Sequence, residues 1–175
     1  MGALIITESC FGNTTALADA IGQALADSGS MAVQAIAVKD APETIPDDTE
    51  LLILAAPTHD YSLPRERTRT RARRRGGLLA GDTGLREWIA AVQPAANVKV
   101  VTVDTAFKAG FMPSTAAKTA ARLMGRAGFN HVRRGATFGV SDYAGPLDDG
   151  ELIRARAWAA TLAAGLRSLT RAPGR

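Results

Sequence analysis

The sequence predicts a doubly wound α/β domain, in which a parallel sheet is covered by helices on both faces. Strand-like and helix-like segments alternate along the chain, as they do in such folds. Residues 51–56 are all apolar, which is typical of a strand buried on both faces. At 175 residues, 46% of them hydrophobic, the chain is long enough for one domain with a substantial core. We expect this domain to span residues 1–170, followed by a frayed tail at residues 171–175.

The first half of the chain contains three expected strands and one expected helix. The first strand covers residues 3–7 and the second covers residues 32–38, with a loop and a short helical turn over residues 40–48. The third strand, at residues 51–56, stops at Pro57. A helix is expected over residues 16–26, before Gly29, because apolar side chains recur there at helical spacing: Leu17, Ala20, Ile21, Ala24 and Leu25.

The second half continues the alternation. A short helix is expected over residues 85–92 and a fourth strand over residues 98–103, where Lys99 indicates a strand end or a sheet edge. Ser114 is the expected N-cap of a helix that runs through Ala127 and ends at Gly128. The fifth strand covers residues 136–140. The last helix covers residues 148–169, where one apolar stripe contains Leu152, Ala155, Trp158, Ala159, Leu162 and Leu166.

The turn between the first strand and the first helix has the composition of an anion-binding loop. Residues 8–15 are rich in hydroxyl groups, and they lead to a helix N-terminus, where free N–H groups favour a phosphate. The loop contains no Lys or Arg, which excludes a P-loop, and its single glycine, Gly12, excludes the three-glycine dinucleotide motif. The remaining interpretation is a site for one terminal phosphate, bound by Ser9, Thr14, Thr15 and the backbone. The alternative is an ordinary strand-to-helix turn.

Residues 7–14, Thr-Glu-Ser-Cys-Phe-Gly-Asn-Thr, resemble the phosphate loop of flavodoxins and flavodoxin-like proteins, particularly its Glu-Ser-x-Phe-Gly-Asn-Thr form. In that family the loop binds the phosphate of FMN. The resemblance therefore implies FMN as the cofactor. It also implies a five-stranded sheet of order 2-1-3-4-5, with the ligand beyond the carboxyl ends of the strands. The cofactor-binding residues that it implies in this loop are Ser9, Cys10, Phe11, Gly12, Asn13 and Thr14.

In the family, the loops after the third and fourth strands enclose the isoalloxazine ring. Residues 56–61, Ala-Pro-Thr-His-Asp-Tyr, resemble the Pro-Thr loop of the wider family. That resemblance implies four candidate cofactor-binding residues: Pro57, Thr58, His59 and Tyr61. For His59 and Tyr61, a solvated loop position is an equally good interpretation.

The loop over residues 104–113 departs from the glycine-rich, acidic and Tyr-containing sequence of a typical electron carrier. Asp104 and Thr105 lie at the strand end, where members of the family bind the pyrimidine part of the flavin with backbone and side-chain polar groups. Phe107 or Phe111 could cover the ring, or could equally serve core packing or a dimer contact.

Cys10 raises a separate possibility, since a cysteine at a helix N-terminus can act as a nucleophile. Low-molecular-weight tyrosine phosphatases have such a cysteine, and they require an Arg six residues later, followed by Ser or Thr. Here those positions hold Ala16 and Leu17, which excludes the phosphatase. We identify no catalytic acid, base or nucleophile and no metal site.

The formal charge is +4 and the isoelectric point is about 9.7, unlike the usual acidic flavodoxin. The excess comes from one segment, Arg65 to Arg75, here called the arginine tract, and the remaining charges nearly balance. It has three interpretations: a solvated mobile loop; a docking surface for an acidic protein or for the phosphates of NADPH; and a nucleic-acid site. The last ranks lowest, because no aromatic residue is interleaved with the arginines.

The resulting prediction is an FMN-binding protein that acts in electron transfer or as a small flavin-dependent oxidoreductase. Its partner would be a redox protein or a small acceptor, and as an enzyme it would be an NAD(P)H-dependent quinone-type reductase. The alternative is a flavodoxin-like binding or regulatory module that has lost FMN, with the arginine tract bound to an acidic partner. The chain has one cysteine, no apolar run of membrane-spanning length and no signal-peptide pattern, so we expect a cytoplasmic protein.

Overall fold

The structure is a computed structural model that describes residues 2–29, 31–78, 83–107 and 113–171. Within these ranges, five strands alternate with helices in the expected manner. The strands are β1 (Gly2–Thr7), β2 (Ala32–Ala37), β3 (Thr49–Pro57), β4 (Lys99–Phe107) and β5 (His131–Val140). The α-helices are α1 (Asn13–Asp27), α2 (Glu66–Arg74), α3 (Leu85–Ala91), α4 (Ala116–Arg126) and α5 (Glu151–Arg171), and a short 3-10 turn covers Val38–Asp40.

The five strands form one parallel sheet in the order β2-β1-β3-β4-β5, which confirms the predicted fold class. β1 lies between β2 and β3, so the chain changes its direction of winding at β1. Lys99 begins β4, which pairs with β3 on one side and β5 on the other. Lys99 therefore marks a strand end and not a sheet edge.

Helices cover both faces of the sheet. On one face, α1 and α5 pack their apolar stripes against alternate strand residues such as Ile5 and Ile53. On the other face, α3 and α4 pack against the intervening residues, such as Leu4 and Leu52. This two-sided burial explains why β3 has no polar alternation.

Several boundaries differ from the predicted ones. α1 begins at Asn13, so the first helical turn includes residues that we assigned to the loop. β5 begins at His131 and not at residue 136. Its first residues include exposed polar side chains, which an edge strand can contain, so the apolar pattern did not reveal them. The N-cap of α4 is Thr115 rather than Ser114, since the Thr115 hydroxyl accepts a hydrogen bond from the Lys118 N–H. Helix α5 continues to Arg171, and the rest of the expected tail, residues 172–175, lies outside the described residues.

The arginine tract is mostly helical and not a loop, although most of its arginines are solvated as one interpretation expected. Residues Glu66–Arg74 form α2, which buries Thr68, Arg69 and Ala72. The Thr68 hydroxyl accepts a hydrogen bond from the Arg65 N–H at 2.8 Å and so stabilises the first turn. Arginine has a good intrinsic helix propensity, and only one face of this helix has to pack.

Candidate functional site

The first loop turns sharply at Gly12, whose φ of 87° is in the left-handed region. The Gly12 N–H donates to the Ser9 hydroxyl at 3.1 Å, which closes the turn. No side chain caps α1, and its first turn contains no acidic residue. The N–H groups at this helix start are therefore available to an anion. Thr14 connects the helix to β4, because its hydroxyl lies 2.9 Å from the hydroxyl of Thr105.

A small cavity of about 60 Å³ lies where the carboxyl ends of β1, β3 and β4 meet. Nine of the twelve expected cofactor-binding residues line it: Ser9, Cys10, Phe11, Asn13, Thr14, Pro57, Thr58, His59 and Thr105. Gly12, Tyr61 and Asp104 do not line it. The remaining lining residues are Ala106, Phe107, Val140 and Tyr143, so the end of β5 also contributes.

Tyr143, in the loop after β5, was not among the expected site residues. Its ring packs edge-on against Phe11, with centroids 5.6 Å apart, and lies nearly parallel to His59 at 6.0 Å. The guanidinium of Arg75 lies 4.5 Å from the centre of the Tyr143 ring. The Asn13 amide donates to the backbone oxygen of the next residue, Ala144, at 2.8 Å. The loop after β5 is thus attached to the start of α1, and it narrows the cavity.

His59 is buried, so the interpretation as a solvated histidine is wrong. Its backbone exchanges two hydrogen bonds with Ser62, at 2.9 and 3.0 Å, across a tight turn. Burial lowers the pKa of His59 to about 4, so its ring is neutral near pH 7. Within that turn, Tyr61 has a φ of 58°, is 53% exposed and does not line the cavity.

Asp104 serves the adjacent helix instead of the cavity. It is fully buried, and its Oδ2 accepts from the Thr58 hydroxyl at 3.1 Å and from the Ala117 N–H at 2.8 Å. The Thr58 hydroxyl in turn accepts from the Ala116 N–H at 2.9 Å. Asp104 and Thr58 together fix the start of α4 against the ends of β3 and β4.

Cys10 lines the cavity but is not an activated thiol. Its side chain is buried, and burial, reinforced by the negative charge of Glu8, raises the pKa of the thiol to about 12. A protonated, buried thiol is a poor nucleophile. The structure thus gives a second reason, besides Ala16, to exclude phosphatase chemistry.

Behind the first loop lies a buried ionic cluster that sequence patterns did not indicate. Glu8 is 2% exposed, and its Oε1 lies 3.6 Å from Nη1 of Arg69, which is 3% exposed. Its Oε2 accepts from the Leu85 N–H at 2.8 Å, at the start of α3. Arg69 also donates to Glu87 at 3.0 Å. Burial raises the pKa of Glu8 to about 7, although Arg69 opposes the shift.

Other cavities are larger than the small cavity, so volume alone does not identify the ligand site. A cavity of about 220 Å³ lies on the β2 side of the first loop and is lined by residues that include Glu8, Thr15 and Asp19. A larger one, about 600 Å³, lies at the opposite end of the sheet, beside Lys99 and His131. The small cavity is distinguished by the number of functional groups that converge on it.

The described ranges contain no group of three or more potential metal ligands. Among the helices of the same ranges, none is both long and apolar enough to cross a membrane.

The architecture matches solved structures over nearly the whole chain. A flavodoxin from the domain Archaea is 16% identical, with a TM-score of 0.64, and the match covers 95% of this chain and 99% of that one. The chain has a flavodoxin-like fold. Flavodoxin 1 from Bacillus cereus is 17% identical over 91% of this chain and 95% of that one, with a TM-score of 0.60. A flavodoxin from Streptococcus pneumoniae is 16% identical over 94% and 99%, with a TM-score of 0.61. No family model and no curated protein matches the sequence.

In this flavodoxin-like fold the small cavity lies beside the switch point between β1 and β3. Open α/β sheets bind ligands at such points, because the loops on either side diverge and leave a crevice. The position of the cavity therefore agrees with the general rule for this architecture.

Proposed function

We propose that the protein binds FMN noncovalently and acts in electron transfer or as a small flavin-dependent oxidoreductase. One observation supports this above the others: nine of the twelve residues expected to contact FMN converge on one cavity at the switch point. When bound, FMN would supply one- and two-electron redox chemistry, and the chain would supply binding and electrostatic tuning.

The start of α1 suits a phosphate. Ser9, Asn13 and Thr14 surround uncapped N–H groups, and the first helical turn contains no carboxylate. Glu8 is close in sequence, but Arg69 compensates its charge, and its pKa of about 7 leaves it partly protonated near neutral pH. The phosphate end of the site therefore does not repel a dianion strongly.

The ring end of the site has unused polar atoms but little room. Nδ1 of His59 and the hydroxyl of Tyr143 are buried and have no hydrogen-bond partner among the described residues. Such atoms are suited to bind polar groups of a ligand. The cavity of about 60 Å³ is far below the roughly 300 Å³ of small ligand pockets, so the ring requires Tyr143 to move aside.

The partner and the reaction follow from the same proposal. We propose a redox partner protein or a small acceptor, and for an enzyme an NAD(P)H-dependent quinone-type reductase. Oxidation of NADPH or NADH with a quinone present would distinguish this reductase from a pure electron carrier. A cytoplasmic location is also proposed, since the single cysteine is a buried thiol, and cell fractionation would test it.

The second candidate is a binding or regulatory module that has lost FMN. The packing of Tyr143 between Phe11 and His59, under Arg75, favours it, because these side chains fill the space that the ring would need.

The deciding experiment is the visible absorbance of the purified protein, followed by FMN titration of the flavin-free form. A flavin spectrum, or saturable binding that Thr14→Val weakens about tenfold, would support the proposal, because that variant removes a hydroxyl at the phosphate end. Thr161→Val, on the exposed side of α5, is the matched control and should leave binding unchanged. Absence of saturable FMN binding by the wild-type protein would favour the module that has lost FMN.

A further inference from the structure

The most strongly charged surface of the molecule is formed by α2 and its flanks. Residues 65–75 contain seven arginines and one glutamate, a net charge of +6, whereas the whole chain has a net charge of +4. Six of these arginines are exposed, and we call them the arginine face: Arg65, Arg67, Arg71, Arg73, Arg74 and Arg75.

The arginine face is held in a fixed position. Arg69, on the opposite side of α2, is buried in ion pairs with Glu8 and Glu87 and so attaches the helix to the first loop and to α3. On the outer side, Asp60 pairs with Arg71 at 3.0 Å and with Arg67 at 3.7 Å. A pre-ordered charged surface loses less conformational entropy on binding than a mobile loop.

This face borders the candidate flavin site. Arg75 covers the ring of Tyr143, which lines the cavity. Two exposed aromatic residues lie near parts of the face or the cavity: Phe107 lines the cavity and is 50% exposed, and Tyr61 follows Asp60, which pairs with two arginines of the face. Exposed aromatic residues beside arginines are typical of protein–protein interfaces.

We propose that the arginine face docks an acidic redox protein, with the partner's electron-carrying centre directed at the small cavity. The proposal rests on the proposed function for the redox role of the cavity. Complementary charge would steer the partner and fix its orientation, with a strong dependence on ionic strength. A protein fits better than a nucleic acid, because α2 has only nine residues, or about 13 Å of helix, and no aromatic residue is interleaved with its arginines.

The test uses an acidic [2Fe–2S] ferredoxin as the probe and Arg67→Glu/Arg74→Glu as the variant. These substitutions leave Arg69 in its buried ion pairs, and they leave Asp60 its closer partner, Arg71. Arg133→Glu/Arg134→Glu is the control with the same change in charge, since both arginines are exposed near the start of β5, at the other end of the sheet. Binding is measured by calorimetry with and without FMN, and a short DNA duplex is titrated under the same conditions.

We expect the variant to weaken ferredoxin binding about tenfold and the control to change it less than about twofold. Binding by the wild-type protein should also weaken steeply between about 50 and about 300 mM salt. In FMN-loaded protein, reduced ferredoxin should transfer one electron per encounter to the flavin, and the variant should slow this transfer by a similar factor.

Equal binding by variant and control, or tighter binding of the DNA than of ferredoxin, would overturn the docking proposal. Failure of the proposed function gives a different result: FMN does not bind, while ferredoxin still binds through the arginine face. The reverse result, FMN binding without ferredoxin binding, rejects only the docking surface.

Discussion

The buried pair of Glu8 and Arg69 gives a prediction about stability and its dependence on pH. The pKa of Glu8, about 7, is above the ordinary 4.5, because burial disfavours its charged form. The folded state therefore binds this proton more tightly than the unfolded state does. The resulting contribution to stability is complete below pH 4.5 and is lost as pH rises through 7; a shift of this size corresponds to about 3 kcal/mol.

The perturbation is Arg69→Met, which removes the cation and keeps most of the buried side-chain volume. At about pH 8.5 Glu8 is ionised in the wild-type protein, and in the variant it must remain buried without its partner or take up a proton. Breaking a buried pair in this way costs about 3–5 kcal/mol. At about pH 6 Glu8 is mostly protonated in both proteins, so we expect a loss of only about 1–2 kcal/mol, chiefly from the hydrogen bond to Glu87.

The assay is urea unfolding at both pH values, with Arg67→Met as the exposed control, which should change stability by less than about 0.5 kcal/mol. Adding Glu8→Gln to Arg69→Met should restore much of the stability at the higher pH, because the amide can still accept from the Leu85 N–H without needing a cation. The same loss of stability for Arg69→Met at both pH values, or no recovery with Glu8→Gln, would show that Glu8 and Arg69 do not act as a buried ion pair.

Three other results are expected. Gly84→Ala should lower the free energy of unfolding by about 2 kcal/mol, or Tm by roughly 4–8 °C, because the new Cβ would lie 2.8 Å from both carboxylate oxygens of Glu8. Gly125→Ala is the control and should leave stability unchanged, because a Cβ there would meet no neighbouring atom within 4 Å. In native protein, iodoacetamide should modify Cys10 at least about a hundredfold more slowly than in urea, and comparable rates would contradict the burial of its thiol. Asp104→Ala should lower the free energy of unfolding in urea by about 3 kcal/mol, because the Thr58 hydroxyl and the Ala117 N–H would lose their acceptor. A loss below about 1 kcal/mol would show that Asp104 does not fix α4.

The strands and most helices could be predicted because local patterns determine them. Residues 51–56 are apolar throughout because helices cover both faces of β3, and the stripe from Leu17 to Leu25 reflects one packed face of α1. Helix α2 could not be recognised in this way, because it has almost no apolar residues. Its inner face is fixed by Arg69, whose buried partner, Glu8, lies far away in the sequence.

The loops of the site could be predicted better than the side chains in it. The resemblance to flavodoxins implied the strand order, and that order brings the loops after β1, β3 and β4 together. It does not determine which side chains point inward. Asp104 accepts from the Ala117 amide of α4, Tyr61 is exposed to solvent, and Tyr143 lines the cavity from a loop with no recognisable motif. These outcomes depend on packing between elements that no local pattern encodes.

The concentration of charge on α2 also affects how the molecule approaches other molecules. Without residues 65–75, which have a net charge of +6, the rest of this +4 chain has a net charge of −2, so charge is separated across a single small domain. This separation contributes to the electric dipole moment of the molecule. The field of an anionic partner would orient such a dipole before contact, so a larger fraction of collisions would begin with α2, and the cavity beside it, facing the partner.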